Sequence, residues 1–186
     1  PQLWYHLPAS DTFRLFGHIY EVEPAVVERR VALLAEAIAL PDEVYLAEFV
    51  NEVDVDALHA ARAFVKSTLA KALGDALLRC YESMSDPGPY RKTAKAIASR
   101  SLRNICLSYL VETPAGQTIA ERQLSDSDNM TDTLAALGAL VRARAASATA
   151  ALAEFENRWS GDALVMDKWF SLQASVPGAQ TVADVR

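Results

Sequence analysis

The apolar residues between 54 and 84 recur every three or four positions, which is the spacing of one face of an α-helix. Asp54 or Asp56 stands at the start of this stretch, where a short acceptor side chain can bind the unpaired N–H groups of a first turn. The pattern predicts one long helix that ends near Met84, before the loop sequence SDPGP. Its expected core face comprises Leu58, Ala61, Val65, Leu69, Ala72, Ala76, Cys80 and Met84.

Similar patterns predict helices on both sides of the long one. Pro24 suits the first turn of a helix over 24–40, which is apolar around more than half of its circumference. In the helix predicted over 90–112, the residues expected to face the core are Ala94, Ile97, Ala98, Leu102, Ile105 and Tyr109. The other predicted helices cover 11–20, 42–50, 117–125, 130–144, 148–159 and 163–174, with Thr181 placed to cap one more.

The chain as a whole is predicted to be all-α. Its helices follow one another through short polar connections, so successive helices should pack as antiparallel neighbours. The long helices start at about 54, 90, 129 and 163, a spacing like that of helical repeats, although the residues themselves do not repeat. We therefore expect an irregular α-solenoid of about eight or nine helices over 26–186, preceded by a segment, 1–25, whose structure the pattern does not define.

Composition excludes several classes of function. The net charge of −6 and the pI of about 5.1 disfavour nucleic-acid binding, which requires clustered basic residues. No apolar run approaches the ~20 residues of a membrane span, and the first residues do not resemble a signal peptide. Cys80 and Cys106 lie on apolar helical faces, so buried, reduced thiols and a cytoplasmic location are expected.

The stretch SDSDNMTDTLAAL, residues 125–137, concentrates polar oxygen atoms ahead of an apolar helix. A calcium loop starting at Asp126 would need further ligands and a glycine at positions that the sequence does not supply. Helix capping accounts better for these residues, because Asn129 or Asp128 can accept hydrogen bonds from the first turn. Asp132 occupies the position of the reciprocal capping-box acid. Whether Asn129 or Asp132 also lines a cavity stays open.

The candidate metal ligands do not form a recognisable set. His6, His18 and His59 lack the convergent partners that a zinc site needs, and no HExxH motif occurs. The acids that occur in pairs, Asp54 with Asp56 and Glu154 with Glu156, stand two residues apart. On a helix this spacing turns them to different sides, so they do not form an acid/base pair. We therefore predict no catalytic residue, no metal ligand and no cofactor in this chain, and its substrate-binding residues are unknown.

One cluster of basic residues has two interpretations. Within 91–103 the charged residues are all basic, and they are Arg91, Lys92, Lys95, Arg100 and Arg103. Lys92, Lys95 and Arg103 share a helical face with Ser99. This face either lies in solvent or meets acidic groups of a neighbouring domain or substrate.

Several strings then suggest a family. The segments SRSLRNICLSYL, DSDNMTDTLAAL and NRWSGDALVMDKWFSLQAS, followed by VPGAQTVADVR, resemble the C-terminal region of the bacterial aminopeptidase N family of zinc-dependent gluzincins. The likeness is good over about 90–186 and weaker over 28–84. It implies a helical superhelical domain that closes over a catalytic domain and lines an internal cavity. It also implies that the family domain continues past Arg186, so that this chain is incomplete.

The resemblance implies partners for this chain but assigns it no catalytic residue. Members of the family remove N-terminal residues from peptides with a zinc ion held by HExxH and a further Glu, and a G-x-M-E-N stretch holds the peptide amine. This chain contains neither motif, so the resemblance assigns none of its residues to catalysis or to zinc. The implied partners are the catalytic domain of the same polypeptide and the peptide substrates of that enzyme.

An alternative from another functional class is a free-standing helical-repeat module that binds proteins and has no enzymatic activity. If the chain is instead the incomplete domain that the resemblance implies, the interrupted helical array exposes an apolar face that further helices would cover. We therefore expect self-association or modest stability.

Overall fold

The computed structural model describes residues 37–86, 88–176 and 181. These residues contain seven α-helices and no strand, which confirms the all-α prediction with a lower helix count than expected. Residues 37 and 38 are helical, and the rest of the helix predicted over 24–40 lies outside the described residues. The helix predicted over 11–20 and the one expected after Thr181 lie outside them too.

The helices agree closely with the predicted segments, and the last two agree at both ends. In the described part of the chain, no helix has a stretch both long and apolar enough to cross a membrane. In chain order the helices are α1 (Glu43–Ala47), α2 (Val55–Ser83), α3 (Ala94–Leu110), α4 (Pro114–Asp126), α5 (Met130–Arg142), α6 (Ala148–Trp159) and α7 (Ala163–Ala174).

The chain divides into two compact units, at residues 1–109 and 110–186. In the first unit, α1 is fastened to α2 by polar contacts. His59 Nδ1 lies 2.7 Å from Glu43 Oε1, and Arg62 donates to the carbonyl of Pro41 at 2.8 Å. The hydroxyl of Tyr109 donates to the carbonyl of Ile38, and burial raises the pKa of Tyr109 to about 12, so this donor stays neutral.

The predicted core faces of α2 and α3 are only partly correct. Val65 is 43% exposed and Ile97 is 53% exposed, whereas Ala96 and Leu102 are buried. In α2 the buried residues all lie in the second half, namely Ala70, Leu77, Cys80 and Tyr81. The period of a helix shows where an apolar stripe runs, but burial also requires a neighbouring helix along that part of its length.

The start of α4 corrects the sequence prediction. The residues TPAG were interpreted as a break, and the helix was expected at 117–125. The helix instead begins at Pro114, where the missing N–H has no helical partner to lose, and the hydroxyl oxygen of Thr113 accepts the N–H of Gly116 at 3.1 Å. A Cβ at Gly116 would lie 1.7 Å from the carbonyl oxygen of Leu110, so this turn has room for glycine alone.

Asn129 caps α5, one of the two capping residues predicted. Its side-chain oxygen accepts the N–H of Asp132 at 3.0 Å. The predicted reciprocal bond takes a different form, because the Asp132 carboxylate accepts from the side-chain amide of Asn129 at 3.0 Å rather than from its backbone. Asp132 is buried, and its own carbonyl accepts from Gln123 of α4 at 3.1 Å, so the cap also joins two helices.

The end of α5 is closed by a Schellman arrangement. The N–H of Ala145 donates to Leu140 and that of Arg144 donates to Val141, at 3.0 and 3.1 Å. Arg144 occupies the left-handed conformation with φ of 51°, a position where glycine is more usual. This turn sends the chain into α6 within a few residues.

The core of the second unit forms where α5, α6 and α7 meet. Leu137, Val141 and Phe155 are buried at its centre, and Trp169 packs against them. The indole N–H of Trp169 donates to the carbonyl of Leu152 at 3.0 Å. The core positions predicted in α7 are confirmed as partly buried, and they are Val165, Trp169 and Leu172.

Replacing Gly116 with Ala should destabilise the chain, because the new methyl group meets backbone atoms that cannot rotate away. We expect a loss of at least about 2 kcal/mol in the free energy of unfolding, measured by urea denaturation. Gly74 is the matched control, since it lies inside α2 with open space around it. Gly74→Ala should raise the free energy of unfolding by at most about 1 kcal/mol. Equal effects at the two positions would contradict the close approach.

The cap of α5 can be tested in the same way. Asn129→Ala removes the acceptor of the Asp132 N–H and should lower the free energy of unfolding by about 1 kcal/mol. Asp128 is adjacent and exposed, and its carboxylate accepts from the Asn129 side-chain amide at 3.1 Å without binding the first turn. Asp128→Ala should therefore change the free energy of unfolding by less than about 0.5 kcal/mol. Thermal melting monitored by circular dichroism measures both, and a larger loss for Asp128→Ala would show that the cap is misassigned.

Candidate functional site

The basic cluster of the sequence surrounds the connection between α2 and α3. Arg91 contacts Asp86 at 2.6 Å, an acid that lies in the same loop five residues earlier. Arg91 holds the pKa of Asp86 below its ordinary value, and the N–H of Gly88 and the charge of Arg100 act in the same direction. Asp86 therefore stays ionised and neutralises part of the cluster.

Two of the arginines stack on tyrosines. The guanidinium of Arg100 lies 4.6 Å from the ring centroid of Tyr90, and that of Arg103 lies 4.5 Å from the centroid of Tyr81. Arg103 also donates to the hydroxyl of Tyr81 at 2.9 Å, so it joins α3 to α2. The Nε atom of Arg103 is buried and has no hydrogen-bond acceptor within the described residues.

A cavity of about 440 Å³ opens beside this cluster, within the first unit. We call it the α2–α3 pocket. Of the four residues predicted to share a face, Lys95 and Ser99 lie on the wall of this pocket and Lys92 does not line it. Arg103 lies one turn beyond Ser99 on the same helix. The residues that line it are Ser83, Met84, Ser85, Asp86, Arg91, Thr93, Lys95, Ala96, Ala98 and Ser99.

The two cysteines face each other and not this pocket. Cys80 of α2 and Cys106 of α3 are both buried, free and hydrogen-bonded to each other. The bond to Cys80 and burial both raise the pKa of Cys106, so its thiol stays protonated at neutral pH. The buried, protonated thiol of Cys106 is therefore a poor nucleophile and a poor metal ligand, whereas its hydrogen bond lowers the pKa of Cys80. The prediction of buried reduced thiols is confirmed.

The histidine that the structure describes, His59, is hydrogen-bonded to a single acid. His59 lies against Glu43, and no third ligand joins them. Across residues 37–86 and 88–176, no group of three or more His, Cys, Asp or Glu side chains is arranged to hold a metal ion. His6 and His18 lie outside the described residues.

A second cavity, of about 380 Å³, lies in the second unit between α4, α5 and α6. Aromatic and acidic side chains share its wall, and Arg158 lies 5.5 Å from the ring centroid of Trp159. Neither Asn129 nor Asp132 lines it, which answers for this cavity the question that the sequence left open. Its lining includes Glu121, Leu124, Thr133, Glu154, Phe155 and Trp159.

Sequence reasoning named Ser99 but missed the other three hydroxyl residues of the α2–α3 pocket. Ser83 is the last residue of α2, and Ser85 follows its C-cap. Thr93 caps α3 by accepting the N–H of Ala96 at 3.2 Å. Two signals were present, a loop with prolines and glycine and a run of hydroxyl residues on both sides of it. These hydroxyl groups line one pocket because α2 and α3 lie side by side, and no local sequence pattern predicts that arrangement.

Comparison with known proteins identifies the chain at the family level. The family model described as "Domain of unknown function (DUF3458_C) ARM repeats" matches residues 21–186. A crystal structure of Legionella pneumophila aminopeptidase A in complex with aspartic acid has a similar fold, with a TM-score of 0.71 and 24% sequence identity. The superposition covers 93% of this chain and 23% of the Legionella protein.

Curated relatives named Aminopeptidase N match most of the chain. The protein of Haemophilus influenzae is 37% identical over 171 residues, which are 87% of this chain and 20% of that protein. The Escherichia coli protein is 39% identical over 179 residues, which are 95% of this chain and 20% of that protein. The chain thus spans about a fifth of the length of these relatives. It belongs to the DUF3458_C ARM-repeat family, the C-terminal helical domain of the aminopeptidase N proteins.

Proposed function

We propose that this chain is the non-catalytic helical part of a zinc metallo-aminopeptidase that removes N-terminal residues from peptides in the cytoplasm. The observation that carries the proposal is the match of 87–95% of the chain to about a fifth of two proteins named Aminopeptidase N. The remaining four fifths of such a protein leave ample room for a separate catalytic domain.

The residues that the structure describes do not suit a catalytic zinc. Such a site needs three protein ligands that converge on one point, usually histidine with a carboxylate. In the described residues, His59 is held by Glu43, and the two cysteines are held by each other. The zinc of the parent enzyme would therefore be bound by another part of the polypeptide.

The partner that we propose for this domain is the catalytic domain of the same polypeptide. Several large apolar side chains lie in solvent, among them Val44 at 77%, Phe49 at 70%, Phe64 at 70% and Leu164 at 77% exposed. Contiguous apolar patches mark surfaces that another domain covers, and we take these side chains as candidates for such a surface. A domain docked in this way would restrict which peptides enter the active site.

A helical-repeat interaction module without enzymatic activity is the alternative, and the ARM-repeat description of the family favours it. The reading frame upstream of Pro1 separates the two proposals. HExxH and G-x-M-E-N motifs in the same frame support the enzyme, and a start codon directly before Pro1 supports the module.

The purified chain should not hydrolyse alanyl-p-nitroanilide and should not retain stoichiometric zinc after dialysis. The full reading frame, expressed in parallel, should hydrolyse the same substrate and lose activity with a chelator, because the catalytic zinc would be bound outside this chain. Release of p-nitroaniline and metal analysis of both proteins measure these outcomes.

A host aminopeptidase is the obvious contaminant in that assay. A mock purification from cells without the gene provides the control. Activity that co-purifies with the chain, scales with its concentration and is absent from the mock sample would contradict a non-catalytic role.

The chain alone should self-associate, because apolar residues that the proposed partner would cover are exposed. Phe64 is 70% exposed on α2, and Phe64→Asp should shift light scattering toward the monomer at concentrations where the unchanged chain forms larger species. Thr68 is exposed one turn later, so Thr68→Asp is the control for added charge. A monomer for the unchanged chain at all concentrations would contradict the expectation.

A further inference from the structure

We propose that the α2–α3 pocket binds the oxyanion group of a small organic ligand, a phosphate or a carboxylate. The pocket lies wholly within the first unit and is lined by residues of α2, α3 and the loop between them. The inference rests on this cavity and on the groups around it, and it is independent of the proposed peptidase function.

The charges around the pocket favour an anion. Arg91 and Lys95 line it, and Arg100 is close enough to lower the pKa of Asp86, which is the single carboxylate in the lining. Arg91 is paired with Asp86, and Lys95 forms no ion pair in the part of the chain that the structure describes. Three cations against one carboxylate give a local excess of positive charge in a chain whose net charge is −6.

Hydroxyl groups supply further donors. Thr93 uses its oxygen to accept the N–H of Ala96, which leaves its O–H available. Ser85 and Ser99 also line the pocket, and neither hydroxyl is hydrogen-bonded among the described residues. A lysine together with several hydroxyl groups is a donor set that suits the multiple acceptor oxygens of a phosphate or carboxylate.

The size of the pocket indicates that the ligand is larger than a bare ion. A volume of about 440 Å³ is within the usual range of sites for small organic molecules. Met84, Ala96 and Ala98 contribute apolar atoms to the same wall. A ligand with a charged head and a small apolar body would therefore contact both kinds of lining.

Isothermal titration calorimetry of the chain tests the proposal with three probes, namely inorganic phosphate, phenyl phosphate and phenylacetate. Sodium chloride keeps the ionic strength constant, so that general screening of surface charge does not change between samples. We expect saturable binding of phenyl phosphate or of phenylacetate, tighter than that of inorganic phosphate. Which of the two binds identifies the head group as phosphate or carboxylate.

Lys95→Ala should weaken this binding about tenfold, since a charge-assisted hydrogen bond is lost. Lys92→Ala is the matched control, because Lys92 is an exposed lysine in the same segment that does not line the pocket, and its effect should be less than about twofold. Lys95→Arg should retain most of the affinity. Equal melting temperatures of the three variants exclude a folding defect.

Two results would overturn the proposal. One is the absence of saturable binding for all three probes. The other is an equal loss of affinity in Lys92→Ala and Lys95→Ala, which would show that the anion is attracted by the surface charge of the segment and not held in the pocket.

Discussion

The contact between the backbone of Gly116 and the carbonyl of Leu110 is the constraint on which the second unit depends. A Cβ at position 116 would lie 1.7 Å from the carbonyl oxygen of Leu110. The first turn of α4 can therefore approach the end of α3 only because residue 116 has no side chain. Small residues continue the same principle along the helices that follow. Ala120 of α4 and Ala136 and Ala139 of α5 are buried, and these two helices pack against each other.

Once α4 and α5 are close, polar groups between them must find partners inside the interface. Gln123 does so by donating to the carbonyl of Asp132, whose carboxylate binds the amide of Asn129. The polar residues at the start of α5 therefore have two roles. They cap α5, and they bind a side chain of α4. A calcium loop would need such oxygen atoms to turn toward one point, whereas here those of Asp128, Asn129 and Asp132 accept from donors of the protein.

The sequence predicted helix positions well because their signals are local. Prolines, caps and the apolar period lie within a few residues of each boundary, and α6 and α7 agree with the prediction at both ends. Burial was predicted less well, as Ile97 and Val65 show, because it depends on where neighbouring helices end. The basic residues were seen on one face, but the pairing of Arg91 with Asp86 and the stacking on tyrosines require the folded loop.

The bond from the Trp169 indole to the carbonyl of Leu152 has a mechanical consequence. It joins a side chain of α7 to the backbone in the middle of α6, so it specifies both the height and the rotation of one helix on the other. A shift of α7 by one residue would turn its contact face by about 100° and break the bond. The bond therefore opposes both sliding and rotation of α7 against α6.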